Sequence, residues 1–192
     1  MHTWTALPAV ALRRAGSVSD ALAAVGIGDF RAAARWVHEL PYGRNADRAD
    51  YRLVLTERRG TCSTKHALLA SLANEQAVDV FLTLGVFEMD GANTPGIDEV
   101  LRRYGVVCVP EAHCYLVYDG RRVDVTRAGT APSAAIRFLH EERIAPEQIG
   151  DYKVAKHRAF LRDWVERTAP PLPYTWEEVW RIREECIAAL EQ

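Results

Sequence analysis

The chain has 192 residues, a length that predicts one domain over residues 1–192, since domains run to about 100 to 200 residues. Its 48% apolar and 26% charged residues are ordinary for a globular chain and exclude a disordered, collagen-like or disulfide-dense mini-protein. Basic and acidic residues number 24 and 26, a net charge of −2, so there is no basic excess to favour nucleic acid or an anionic membrane surface as partner.

The expected elements follow in chain order. Ser17-Val18-Ser19-Asp20 caps a short helix ending at Gly26, and Asp29 opens a second that runs through Trp36 and Leu40 until Pro41-Tyr42-Gly43 stops it. Residues 44–51 carry Asn45, Asp47 and Asp50 without apolar periodicity and read as a polar loop before the apolar patch Leu53-Val54-Leu55. Leu68, Leu69 and Leu72 mark a helix over 63–74. A strand is expected over 78–89, a short helix over 97–104 and a brief strand over 106–109. Segments 112–118 and 121–126 flank Asp119-Gly120, the pair favoured in a two-residue type I′ hairpin. Helices are expected over 133–142, 146–167 and 175–190, the last opened by the capping box Thr175-x-x-Glu178. Helices, then strands, then helices make an α+β chain.

Four cysteines, Cys62, Cys108, Cys114 and Cys186, form no Cys-x-x-Cys pair, so the pattern signals neither a zinc ribbon nor a redox dithiol. No metal and no cofactor is expected. Arg13 and Arg14 follow the short N-terminal apolar stretch rather than precede it, which is not secretory-signal order. No apolar run reaches the roughly 18 to 20 residues of a spanning helix. The expected setting is cytoplasmic, with free thiols.

Cys62 stands where a loop becomes a helix, in Arg58-Arg59-Gly60-Thr61-Cys62-Ser63-Thr64-Lys65-His66. Unpaired N–H groups and the positive helix dipole at such a position favour a thiolate and offer donors to an oxyanion. Gly60 is expected to let a substrate's backbone come close. The other reading of Cys62 is a small apolar residue buried in a first turn.

A nucleophilic thiol requires a base and an orienting group. Around a two-residue Asp119-Gly120 loop, Tyr115 faces Asp124 and His113 faces Thr126. His113 and Asp124 then share a face as diagonal neighbours, about 7 to 8 Å apart at the backbone, a gap that two converging side chains can close. Cys114, Leu116, Val123 and Val125 take the opposite, apolar face. Cys62, His113 and Asp124 thus form a candidate nucleophile, acid/base and orienting carboxylate. The alternative is a structural histidine, with Asp124 pairing to Arg121 or Arg122.

Gly60-Thr61-Cys62 opening a helix, His113-x-Tyr115 on a strand and Asp124-Val125-Thr126 on the next resemble the transglutaminase-like superfamily of papain-type cysteine enzymes. The resemblance covers about residues 30–130. It implies a papain/transglutaminase-like core, in which the helix carrying Cys62 packs on a small antiparallel sheet between flanking N- and C-terminal helices, with 131–192 as a C-terminal helical extension. It further implies thioester acyl-enzyme chemistry on a peptide or other amide-bearing substrate, ending in hydrolysis or acyl transfer to an amine. Ser63 and Val123 replace aromatic residues common in the family and place this chain in an outlying, bacterial-type branch.

Tyr42, Asn45, Tyr51 and Thr61 are candidates for substrate or oxyanion contacts, with Tyr42 and Asn45 better read as loop-formers. His66 and Lys65 lie one helical turn from Cys62; His66 reads as a packing group that can also meet substrate, and Lys65 as a solvated one. Arg58 and Arg59 read as a solvated edge. A catalytically inactive peptide-binding module on the same scaffold is the alternative function. Iodoacetamide should modify Cys62 faster than Cys186 in the folded protein near neutral pH, as followed by peptide mass spectrometry; equal rates would count against an activated thiol.

Overall fold

The computed structural model describes residues 3–127 and 135–190, and several helix starts coincide with side chains able to cap them. Asp29 accepts the Ala32 N–H through Oδ1 at 2.8 Å and opens α2 (Phe30–Glu39), which follows α1 (Ser17–Ala24). The patch at Leu53 forms a short helix, α3 (Leu53–Glu57), and the Cys62 helix, α4, runs Cys62–Gln76. Strand β1 (Val80–Met89) leads through α5 (Asp98–Tyr104) to β2 (Val109–Tyr118), so the two strands expected over 106–118 are one. Strand β3 (Arg121–Val123) is shorter than expected. Next come β4 (Phe138–Ile144), a 3-10 turn at Pro146–Ile149, α6 (Asp151–Arg167) and α7 (Trp176–Ala189). At α7 the reciprocal cap forms as its sequence predicts: Thr175 N–H donates to Glu178 Oε2 at 2.8 Å and Glu178 N–H to Thr175 Oγ1 at 3.3 Å.

The protein is therefore mixed α+β, with seven α-helices among the described residues and a four-stranded sheet of order β3-β2-β1-β4. Leu116 pairs with Val123, Val117 with Arg122 and Tyr118 with Arg121, the antiparallel register that a two-residue loop demands. Asp119 and Gly120 have φ of 49° and 68°, as a type I′ turn requires. Pairing stops at Val123, and residues 124–127 continue outside the ladder.

A helix expected over 133–142 is instead the strand β4 from Phe138 onward; residues 133 and 134 lie outside the described residues. Glu141, Glu142 and Arg143 tolerate a helix, but the edge of the sheet offers backbone partners, and tertiary pairing overrides such weak local preference. Gly85 on β1 leaves room for the first residue of β4. A Cβ there would overlap the Phe138 ring, which instead lies on the bare backbone and meets Phe87 edge-on at 5.9 Å. The helix expected over 146–167 is likewise broken at Gly150.

The chain divides into two compact units, Met1–Leu84 with Cys114–Gly129 and Glu142–Gly150, and Gly85–His113 with Thr130–Glu141 and Asp151–Gln192. In the first, α4 contacts α1, α2, α3 and the 3-10 turn at 146–149. The second has an apolar core of Phe87, Met89, Ile97, Leu101 and Val109 against Leu161 of α6 and Val179, Ile182 and Cys186 of α7. No described helix is long and apolar enough to cross a membrane.

The second unit also buries a charge pair. Glu111 on β2 receives Arg183 from α7 in a bidentate contact, Nε to Oε2 at 2.5 Å and Nη2 to Oε1 at 2.7 Å. Burial alone would raise the Glu111 pKa, but the Arg183 charge and hydrogen bonds prevail and hold it at about 2. His157, 2% exposed, donates from Nε2 to the Pro110 carbonyl at 2.9 Å and packs on Trp180 at 5.0 Å. Burial lowers its pKa to about 4 against the opposing pull of Glu111. The unfolded chain therefore binds the extra proton first as pH falls. Stability contributed by neutral His157 is complete above about pH 6.5 and is lost toward pH 4, to a total of about 3 kcal/mol. Urea denaturation at stepped pH should show that decline, and His157→Gln should flatten it.

Candidate functional site

Twelve of the fifteen residues of α4 are buried, including the polar Ser63, Thr64, Lys65, His66 and Gln76. Residues 62–70 of the helix are buried without a break, and polar groups so enclosed cannot be left to water, so each must find a partner inside. At its far end, Gln76 exchanges hydrogen bonds with the Arg13 backbone, accepting N–H at 2.7 Å and donating to the carbonyl at 2.8 Å. At its near end the same requirement assembles the candidate site.

Thr61 precedes the helix in extended conformation and donates its N–H to Thr64 Oγ1 at 3.1 Å. The Thr64 hydroxyl donates in turn to Asn45 Oδ1 at 2.7 Å. Asn45 spends both amide protons on the far side of α3, on Glu57 Oε2 at 2.9 Å and the Arg59 carbonyl at 3.0 Å. The Ala46 N–H and then Asn45 hold the Glu57 carboxyl below its usual pKa. Asn45 is thereby a loop-former, and the loop it organises is locked to the first turn of α4.

Gly60 belongs to the same lock. Its N–H donates to the Pro41 carbonyl at 3.2 Å and its carbonyl accepts the Gly43 N–H at 3.3 Å, flanking a parallel bridge between Tyr42 and Gly60. A Cβ at Gly60 would stand 2.8 Å from Thr64 Oγ1, 2.9 Å from Val54 Cγ2 and 3.0 Å from Lys65 Cγ. The expectation that the glycine makes room for a substrate is corrected: the space is taken by Val54 of α3 and by Thr64 and Lys65 of α4.

Cys62 opens α4 and is 8% exposed. One turn on, His66 is fully buried and both ring nitrogens are engaged by backbone. Nε2 accepts the Val125 N–H at 2.8 Å, so Nδ1 must carry the ring proton, and it donates to the Cys62 carbonyl at 2.7 Å. The neutral Nδ1–H tautomer follows from these two partners. Asp124 Oδ1 lies 3.6 Å from His66 Nε2 and accepts the Thr126 N–H at 2.8 Å. His66 thus clamps the segment after β3 to the helix start.

Lys65 is the residue whose place the sequence conceals. Expected in solvent, it is 0% exposed, and Nζ donates to the Leu40 carbonyl at 2.6 Å and the Thr126 carbonyl at 2.9 Å. Burial lowers its pKa to about 8, while Asp124 and Cys62 pull it back up and Arg127 pushes it further down. The available signal is that Ser71, Asn74 and Glu75 already make the outward polar stripe of α4 at i, i+3 and i+4, and Lys65 lies off it.

The remaining candidates are placed as follows. Tyr42 carries Arg127 over its ring at 4.3 Å. Tyr51 donates to Ser71 Oγ at 3.1 Å, nine residues beyond Cys62 and about 13 Å along the helix. Arg58 lies over the Trp36 ring at 4.8 Å, and Arg59 Nε is 3.6 Å from Glu57. His113, on β2 and 8% exposed, belongs to the second unit, where its ring stacks on Phe138 at 6.4 Å and meets Phe87 edge-on at 6.2 Å. Cys114 is fully buried. Burial first, then nearby carboxylates, push the Cys108 and Cys186 thiols up to about 11. The four cysteines are thiols rather than disulfides, and among the described residues no three His, Cys, Asp or Glu side chains are grouped to hold a metal ion.

No protein-family model matches the chain, and neither curated proteins nor solved structures give a match.

Because the His66 ring bonds two buried backbone groups at once, His66→Leu should leave the Val125 N–H without its acceptor and remove the ring's bond to the Cys62 carbonyl. The expected loss is about 2 to 4 kcal/mol of stability in urea titrations.

Proposed function

We propose that the protein is a cysteine-dependent amide or peptide hydrolase or acyltransferase of transglutaminase-like type, with Cys62 as nucleophile, His113 as general acid/base and Asp124 as the carboxylate that orients it. The observation that carries this reading is the double tether between Cys62 and Asp124. Lys65 and His66, both from the first turn of the Cys62 helix, bind the Thr126 carbonyl and the Val125 N–H, the two residues directly after Asp124. A nucleophile and a carboxylate supplied by distant parts of the chain are thereby held on one frame, as preorganised catalysis requires.

The hairpin supports the third member: Leu116 pairs with Val123, so Asp124 leaves the ladder beside β2 only three residues along that strand from His113. In the proposed reaction the Cys62 thiolate attacks the amide carbonyl, and the oxyanion is met by the backbone N–H of Cys62 at the helix start. The C–N bond then breaks as the His113 imidazolium protonates the departing amine, leaving an acyl thioester on Sγ. Water, or a second amine, gives up a proton to His113 as it attacks the thioester, and Cys62 is released.

The test is to trap the intermediate. Incubation with a mixture of peptide thioesters or p-nitrophenyl esters, quenched in acid, should leave an acyl mass on Cys62 that hydroxylamine removes. Cys62→Ala should abolish it, and His113→Ala should slow turnover by about 10²- to 10⁴-fold. Turnover that survives in Cys62→Ala would refute the reading, and a folded protein that binds peptides without ever acylating would be a binding module.

A further inference from the structure

A lysine with no exposed surface, on the helix that begins with the proposed nucleophile, calls for a purpose. Burying an ammonium is costly unless its charge is compensated, and a hydrocarbon side chain would fill the same space without that cost. Two backbone carbonyls, Leu40 at 2.6 Å and Thr126 at 2.9 Å, solvate Nζ, but neutral dipoles meet only part of the cost. The charged and titratable groups acting on it are Asp124 and Arg127 from the segment after β3 and Cys62 from its own helix. Asp124 and Cys62 favour the ammonium, and Arg127 opposes it.

We propose that Lys65 is a positioning residue for the Cys62 chemistry: its buried ammonium stabilises the Cys62 thiolate and, by binding the Thr126 carbonyl, fixes the Asp124 segment against the start of α4. The inference rests on the reading of Cys62 as nucleophile for its catalytic meaning. The electrostatic coupling does not require that any substrate turn over.

The geometry accounts for each part. Lys65 follows Cys62 by three positions, which puts the two side chains on adjoining parts of one helical face, one turn apart. The thiolate therefore gains from the helix N-terminus and from a cation that water does not screen. Thr126 is two residues beyond Asp124, and its N–H already binds Asp124 Oδ1. Holding the Thr126 carbonyl thus restrains both ends of the turn that presents the carboxylate. Lysine suits the double task because a single point charge with rotatable donors can serve two carbonyls and a third, anionic neighbour together.

Two interacting titrations are reciprocal, so the coupling is measurable from either end. The pH profile of Cys62 modification by iodoacetamide should move upward by about one pH unit or more in Lys65→Met, with roughly a tenfold slower reaction at pH 7, whereas Lys65→Arg should stay within about threefold of the native rate. From the other end, the chain has only three lysines, Lys65, Lys153 and Lys156, and their labelled ¹³Cε resonances can be followed separately. In Cys62→Ala the Lys65 resonance should titrate at lower pH than in the native protein, with Lys153 and Lys156 unmoved. An unchanged Cys62 profile in folded Lys65→Met overturns the proposal. Should that variant fail to fold, a Lys65 titration unaltered by Cys62→Ala overturns it instead. Neither measurement involves turnover, so a shifted profile in a protein that forms no acyl-enzyme would refute the triad and leave the coupling standing.

Discussion

Complete burial of the first turn of α4 is the constraint from which the candidate site is built. Ser63, Thr64, Lys65 and His66 enter the interior in succession, and an unsatisfied polar group there costs about as much as a large part of the net stability of a domain. Their partners are therefore drawn from wherever the chain can supply them. Thr64 takes Asn45, Lys65 takes the carbonyls of Leu40 and Thr126, and His66 takes the Val125 N–H and the Cys62 carbonyl. Three separate stretches, the end of α2, the loop before α3 and the segment after β3, are fastened to one turn of helix. Removing any one of these hydrogen bonds exposes a cost on both sides of it.

That arrangement explains why β3 is so short. Beyond Val123 the backbone stops pairing with β2 and turns its N–H and carbonyl groups toward α4. Asp124, at the point of departure, is 40% exposed at its side chain while the residues on either side of it are anchored. A carboxylate on a rigid backbone but reachable from solvent is a chemically different object from the surface aspartate of an ordinary hairpin. The second unit answers the same requirement in its own way. Glu111, the second residue before His113 on β2, is neutralised by Arg183 in bidentate contact, and the adjacent Pro110 carbonyl is satisfied by a neutral His157. The strand that carries His113 is thus pinned by α6 and α7 at the two positions preceding it by two and three residues.

How far the sequence can be read depends on whether the decisive interaction is local. The α4 start is legible because a glycine and a threonine before a helical run are short-range signals, and the hairpin is legible because Asp119-Gly120 permits two consecutive positive φ values. The α7 cap is legible for the same reason. The strand at Phe138–Ile144 is not, since its pairing partner is β1 and its Phe138 ring lies over Gly85, more than fifty residues away. Gly60 is recognised as a place of close approach, but what approaches are side chains of α3 and α4.

By itself the sequence determined the helix that begins at Cys62 and the two-residue hairpin with its register through Val123, because turn chemistry and capping act over a few residues. Only the tertiary structure decided that Lys65 is buried with a lowered pKa of about 8, that His66 is a neutral clamp with its proton on Nδ1, and that the chain after Asp124 is held by both. Those outcomes depend on which distant carbonyls and N–H groups lie within three ångströms of a buried side chain, and no spacing along the chain encodes that.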